Sequence, residues 1–253
     1  MWQGDYSFLL KNLILKDFRI RYRNMSLGVL WSLLNPLVML VVYEFVFTKI
    51  FRSPAKHFAL FILCGILPFN FFSLAWTSGT SSIVENAGLI KRVPVPREIV
   101  PIAGVLSNLL HLIIQMGLLV VFLLYSGLSV NLYWLYLPVI WSLELVFVFG
   151  CALFFSAINV YVRDTRYFVE SATLVLFWLV PIFYSFASVP ERFKSIYQYN
   201  PIAALVLAMR DIVLDAKAPS DVLLIKLTVV SIVAFAVGLV VFRRLKGRFF
   251  DYL

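Results

Sequence analysis

Six apolar runs, at about residues 28–51, 58–78, 99–125, 132–160, 168–187 and 222–242, constrain this chain more than any other feature. Most reach the roughly 20 residues that a helix needs to cross the hydrocarbon of a bilayer. Lipid offers no water to backbone N–H and C=O groups, so such runs are driven into helices that satisfy themselves. Composition agrees. The 253 residues are 62% hydrophobic and 14% charged, with a mean hydropathy of +0.93, against about 45–50% and about 25% for soluble domains. The expected fold is an all-α integral membrane protein with six transmembrane helices, forming one transmembrane domain over 1–253.

The net charge of +9 is not a nucleic-acid patch, because the basic residues flank the apolar runs. With both termini in the cytosol, 14 of the 22 Lys and Arg residues fall on the inner segments. The positive-inside rule favours that orientation. Residues 5–24 are too charged to span. On a helix, Asn12, Lys16, Arg19 and Arg23 share one face, and Leu10, Leu13, Ile14 and Phe18 the other. Segment 1–27 is therefore expected to hold an amphipathic interface helix on the cytosolic surface, either as a plain anchor or covered by a partner. A cleavable signal peptide is not expected, since charges interrupt the first apolar stretch. Cys64 and Cys151 lack CxxC spacing, and His57 and His111 form no HExxH pair, so neither a disulfide nor a metal site is expected. No internal repeat is evident, which weighs against inverted-repeat secondary transporters.

Polar residues inside the runs need a partner or an aqueous lining. In the first run, Gly28, Ser32, Asn35, Met39 and Tyr43 fall within an arc of about 80°. That seam fits a neighbouring helix or a hydrated lumen. Pro36 is read as a kink, and Glu44 as an outer-interface residue near Lys49. In the fifth run Glu170, Ser171, Leu174, Phe177, Trp178, Pro181, Tyr184 and Ser185 share a broad face. An aromatic and hydroxyl stripe lets sugar rings slide without tight binding, and equally serves helix packing. Arg163-Asp164-x-Arg166 closes the inner end of spans four and five by a local ion pair or contacts a partner. Segment 188–221 starts at Ser188 and Pro190 and restarts at Asn200-Pro201. It reads as two short helices dipping into or lying on the outer face, with Arg210 and Asp211 near water, or as an ordinary loop.

Four segments, in this order, carry a resemblance: "RYRNMSLGVLWSLLNPLVMLVVYEFVF", "NAGLIKRVPVPREIVPIAGVLSNLL", "VYVRDTRYFVESATLVLFWLVPIFY" and "YNPIAALVLAMRDIVL". The chain resembles the membrane subunit of ABC transporters that export polysaccharides, the group that includes the O-antigen (Wzm), capsule and teichoic-acid exporters. The resemblance implies a cytosolic coupling helix in 79–98 and gating helices in 188–221. It also implies a multi-pass place in the bacterial cytoplasmic membrane and a lipid-linked glycan as substrate, most directly O-antigen. Lys91, Arg92 and Arg97 become the ATPase-coupling residues. The substrate path is expected along Ser32, Asn35, Tyr43, Phe177, Trp178, Tyr184 and Ser185. A homodimer is expected, because two facing polar seams can form a lumen that one six-helix bundle lacks.

The chain has no GxxxxGK[ST] motif, so it is expected to be no enzyme and to bind no cofactor, with ATP and Mg held by a separate ABC ATPase. Alternatives are the equivalent capsule or teichoic-acid subunit, and a secondary transporter of a small solute. The latter should carry paired acids at the bilayer midplane, where only Glu144 and Glu170 are available. A membrane enzyme acting on lipid-linked sugars should cluster carboxylates or histidines, and none cluster in the sequence. The purified chain alone should release no phosphate from ATP, turnover appearing only when a separate ATPase subunit is added. Contaminant-free hydrolysis by the chain itself would contradict this reading.

Overall fold

Helix is the only regular structure among the described residues, which in this computed structural model are 5–23, 28–50, 57–93 and 95–253. Among the described residues, five stretches are long and apolar enough to cross a membrane: Leu33–Ile50, Phe58–Glu85, Ile99–Tyr125, Leu132–Tyr161 and Asp221–Tyr252. They are built on α2 (Trp31–Glu44), α3 (Phe58–Glu85), α5 (Ile99–Leu106) with α6 (Leu109–Tyr125), α7 (Leu137–Tyr161) and α11 (Asp221–Leu245). Ahead of them lies α1 (Tyr6–Tyr22), and α4 (Ala87–Arg92) joins the second stretch to the third. The expected faces of α1 hold: Leu13 is buried, Leu10 and Ile14 pack on the same cluster, and Asp5 caps the first turn.

The expected span at 168–187 is not one helix. α8 (Thr165–Leu179) stops after 15 residues, about 22 Å against the roughly 30 Å of a bilayer core. Pro181 is the cause. A residue preceding proline is pushed out of the helical region, and Val180 takes φ −76° and ψ 137°. The chain then runs without helix through Val180, Pro181, Ile182 and Phe183, all buried. It continues into α9 (Glu191–Tyr199) and α10 (Pro201–Val213). Asn200 caps α10 through its side chain, and Pro201 occupies the first turn.

Of the two arrangements expected for this segment, α10 takes the one that dips in: ten of its thirteen residues are buried, including Ile202, Leu205, Met209 and Ile212. One expectation fails. Arg210 is not near water, being 7% exposed. Its guanidinium donates to the carbonyls of Ile182 at 2.7 Å and Tyr184 at 3.4 Å, and to that of Phe61 at 3.4 Å. It also stacks 3.5 Å above the Phe61 ring. Backbone without helix is tolerated at membrane depth only where protein supplies the missing donors, and Arg210 is that supply. Gly65 lets the strand-like segment approach, since a β-carbon there would sit 3.1 Å from Ile182 Cα.

α7 and α11 meet backbone to backbone. A methyl group on Gly238 would overlap the carbonyl of Gly150, and one on Gly150 would overlap the backbone of Ala234. Small residues permit such close approach, which is how helices associate where lipid removes the hydrophobic drive. Embedded polar residues are mostly self-satisfied. Thr80 donates to Trp76 O at 2.8 Å, Ser82 to Gly79 O at 2.7 Å, and Asn159 reaches Thr80 O at 3.2 Å. Glu144 is fully buried, and neither oxygen has a hydrogen-bond partner among the described residues. Some twelve residues into its stretch, it lies about 18 Å from the start. Glu170, the other candidate acid, pairs with Arg166 at 2.9 Å.

Gly238→Leu should separate α7 from α11 and cost about 1–3 kcal/mol. Arg210→Met should strand two or three carbonyls at about 1–3 kcal/mol each. Thermal unfolding in detergent should register both, with Arg210→Lys intermediate because it keeps the charge but loses the fork.

Candidate functional site

The polar seam of α2 faces a cleft. Asn35, Met39 and Tyr43 form one wall, Asn70 and Ser73 of α3 another, and His111 and Gln115 of α6 the floor, around a volume of about 530 Å³. Phe177 of α8 closes it. Leu40, one step round α2, is buried in the core at 2% exposure, while Asn35 is exposed and Tyr43 half-buried. The side chain of Ser32 lies outside the described residues.

Above the cleft the rings converge on Phe183, part of the non-helical segment. Its ring lies 4.6 Å from Tyr43, 5.4 Å from Phe47, 5.3 Å from Phe177 and 5.9 Å from Trp178. Trp178 itself is 67% exposed, so it is not a core residue of a single copy. Tyr184 stands further along, in a second hollow of about 500 Å³ with Leu179, Pro190, Phe193 and Tyr197. Its hydroxyl is 2.9 Å from that of Tyr197 and donates to Leu179 O at 3.0 Å. Ser185 is exposed and caps the following turn, accepting from Ala187 N at 3.3 Å, and lines neither hollow.

The cleft thus unites Asn35, Tyr43 and Phe177. Trp178 joins them through shared rings, and Tyr184 and Ser185 sit apart. Sequence reasoning missed Asn70, Ser73, His111, Gln115 and Phe183. Asn70 and Gln115 are amides inside apolar runs, the same signal that singled out Asn35.

At the end of the bundle holding both termini, the coupling candidates part company. Lys91 and Arg92 are exposed at the end of α4 and have no partner among the described residues. Arg97 is engaged. It donates to the carbonyl of Lys246 and lies over the Phe250 ring at 4.4 Å, clamping α12 (Phe249–Tyr252). Glu98 pairs with Lys246. Burial alone would raise the Glu98 pKa, but the Lys246 hydrogen bond and charge, with Arg243, more than offset it and hold it below the ordinary value. Nearby, Arg163 reaches Tyr252 O at 3.2 Å and Tyr161 donates to Leu245 O at 2.7 Å.

Residues 9–214 match the family model described as ABC-2 type transporter. The chain belongs to this family. An O-antigen export system permease protein RfbA of Klebsiella pneumoniae is 33% identical over 239 residues, covering 94% of this chain and 92% of that protein. A protein of the same name from Myxococcus xanthus is 28% identical over 231 residues, 90% and 89% of the two chains. The polysialic acid transport protein KpsM of Escherichia coli is 24% identical over 234 residues, 91% of each. Family membership makes the chain the membrane component of a transporter.

The clamp yields an outcome for each part. Arg97→Gln should release the C-terminal helix, making amide exchange over 247–252 about two- to fivefold faster, as the loss of one exposed cation–π contact allows. Acidification should do the same. A carboxylate with a depressed pKa stabilises above its ordinary value, near 4.3, and that contribution is lost as pH falls through the folded pKa. Lys91→Gln with Arg92→Gln should leave this exchange unchanged.

Proposed function

We propose that the chain is the channel-forming permease subunit of an ATP-driven exporter that moves lipid-linked polysaccharide, O-antigen, across the bacterial cytoplasmic membrane. The observation that carries this reading is the similarity to O-antigen export permeases over 94% of the chain. The geometry supports it. A cleft with amide and hydroxyl groups, followed by clustered rings and a second aromatic hollow, is a surface along which glycan can pass without tight binding. A chain held too firmly at one site would stall.

Both termini face the cytosol, and a separate ATPase, which holds ATP and Mg, docks there. Lys91 and Arg92 are its contacts, while Arg97 acts by keeping the C-terminal helix in place. Two copies form the conduit: the exposed rings of α2 and α8, Trp31 and Trp178, need a facing surface that one copy lacks. α9 and α10 gate the outer end. The polysialic acid transport relative favours a second reading, capsule export, on the weaker 24% identity.

Deleting the gene should remove long-chain O-antigen from the cell surface, and re-expression should restore it. Loss of capsule with O-antigen intact would select the second reading. With Cys64 and Cys151 replaced, cysteines at Asn35, Tyr43 and Trp178 should react with water-soluble thiol reagents in a stalled exporter, and one at Leu40 should not. Trp178→Ala should slow export while ATP hydrolysis persists, each ring contact contributing about 0.5–1.5 kcal/mol. Lys91→Gln with Arg92→Gln should reduce co-purification of the ATPase.

A further inference from the structure

The floor of the cleft holds a buried amide with an unspent polar end. Gln115 is 1% exposed and lines the cleft, its Nε2 is 3.0 Å from His111 Nε2, and its Oε1 has no hydrogen-bond partner among the described residues. Turning the amide over exchanges its ends and still leaves one unpaired. His111 cannot help further, because its Nδ1 is taken by the Tyr22 hydroxyl at 3.2 Å. A buried polar group without a partner carries a desolvation cost of about 1–3 kcal/mol, which a hydroxyl-bearing guest relieves once the side chain turns toward the cleft.

The walls offer the same chemistry. Asn35, Asn70 and Ser73 make no side-chain hydrogen bond to any described residue, so all three are available to a guest. Trp31 and Phe177 supply flat apolar faces on either side. Alternating apolar faces and amides match a sugar ring, which is apolar above and below and hydroxylated at its rim. The volume lies within the roughly 300–1,000 Å³ of ordinary small-molecule sites. Among the described residues no Lys, Arg, Asp or Glu lines the cleft, and the nearest guanidinium, Arg21, is turned to Asn108 behind His111. A carboxylate or phosphate brought here would lose its hydration without a counter-charge in direct contact.

We propose that the cleft between α2, α3, α6 and α8 is a binding subsite for an uncharged sugar residue, with Gln115 as its buried hydrogen-bonding anchor. This rests on the exporter reading and narrows its substrate: at least one residue of the exported repeat is neutral. The subsite favours neutral glycans over polyanions such as polysialic acid or a phosphate-linked polymer.

Saturation-transfer NMR on the full exporter in nanodiscs tests it. The probes are short neutral fragments of the host's own surface polysaccharide, released by mild acid, and a sialic acid trimer. Neutral fragments should give transfer and the sialic acid trimer none. Gln115→Leu should weaken neutral binding about three- to tenfold, the loss of one hydrogen bond. Ser73→Ala, which leaves the His111 contact alone, should weaken it in the same direction and guards against misfolding of the first variant. Equal binding by wild type and both variants overturns the subsite, as does equal transfer to the charged trimer or a host polymer without a neutral residue. Export in cells, measured separately, shows which reading has failed. Normal export with unaltered binding sinks the subsite alone, and absence of any surface-glycan defect on gene deletion sinks the exporter.

Discussion

The guanidinium of Arg210 carries the far half of this molecule. A proline ends α8 inside the apolar region and leaves backbone carbonyls with no helical donor. Arg210 reaches across from α10 to those of Ile182 and Tyr184 and shares itself with Phe61 O. Among the described residues it forms no ion pair, so the charge is spread over carbonyl dipoles and one aromatic face. A guanidinium suits this role because it is planar, weakly hydrated and presents several donors in a fixed fork. Without it the broken backbone would have to straighten or find water. With it, the chain turns back through the bundle and sets Phe183 where Tyr43, Phe177 and Trp178 meet.

That arrangement also shows what the sequence conveyed and what it hid. Periodicity alone oriented α2, because a single helix presents Asn35, Met39 and Tyr43 on one side and Leu40 on another whatever surrounds it. The packed face of α1, with Leu10, Leu13 and Ile14, was legible for the same reason. The fate of Arg210 was not. A charged residue near a Pro-rich connection reads as a surface residue unless one knows that carbonyls await it from a segment almost thirty positions away. Pro181 carried the clue, since a proline within an apolar run breaks the ladder, and the freed carbonyls must then be matched with a donor.

Tertiary pairing hid the rest of the site. Asn70, His111 and Gln115 lie on two other helices, and no local pattern joins them to Asn35. The basic residues teach the converse. Lys91, Arg92 and Arg97 are alike in sequence, yet two point outward and the third is bound to the C-terminal tail by Lys246 and Phe250. Charge counting treats them as equivalent, and only the position of the tail separates an outward surface from an internal clamp.

Polar groups in these helices differ in how much of their hydrogen-bonding capacity is already used. Thr80 and Ser82 donate to backbone carbonyls of their own helix, and such residues are satisfied where they stand. Asn35, Asn70, Ser73 and one end of Gln115 do not, though they belong to helices of the same apolar character. Hydrocarbon would penalise every one of them. Their gathering on one cleft offers water or a polar guest several partners at once. Tyr22 ties α1 to that cleft, because its hydroxyl meets His111 at 3.2 Å while Arg21, its neighbour, donates to Asn108 at 2.6 Å. The last turn of α1 thus lies behind the floor of the polar cleft. Two hydrogen bonds, Tyr22 to His111 and His111 to Gln115, join α1 to the spare amide.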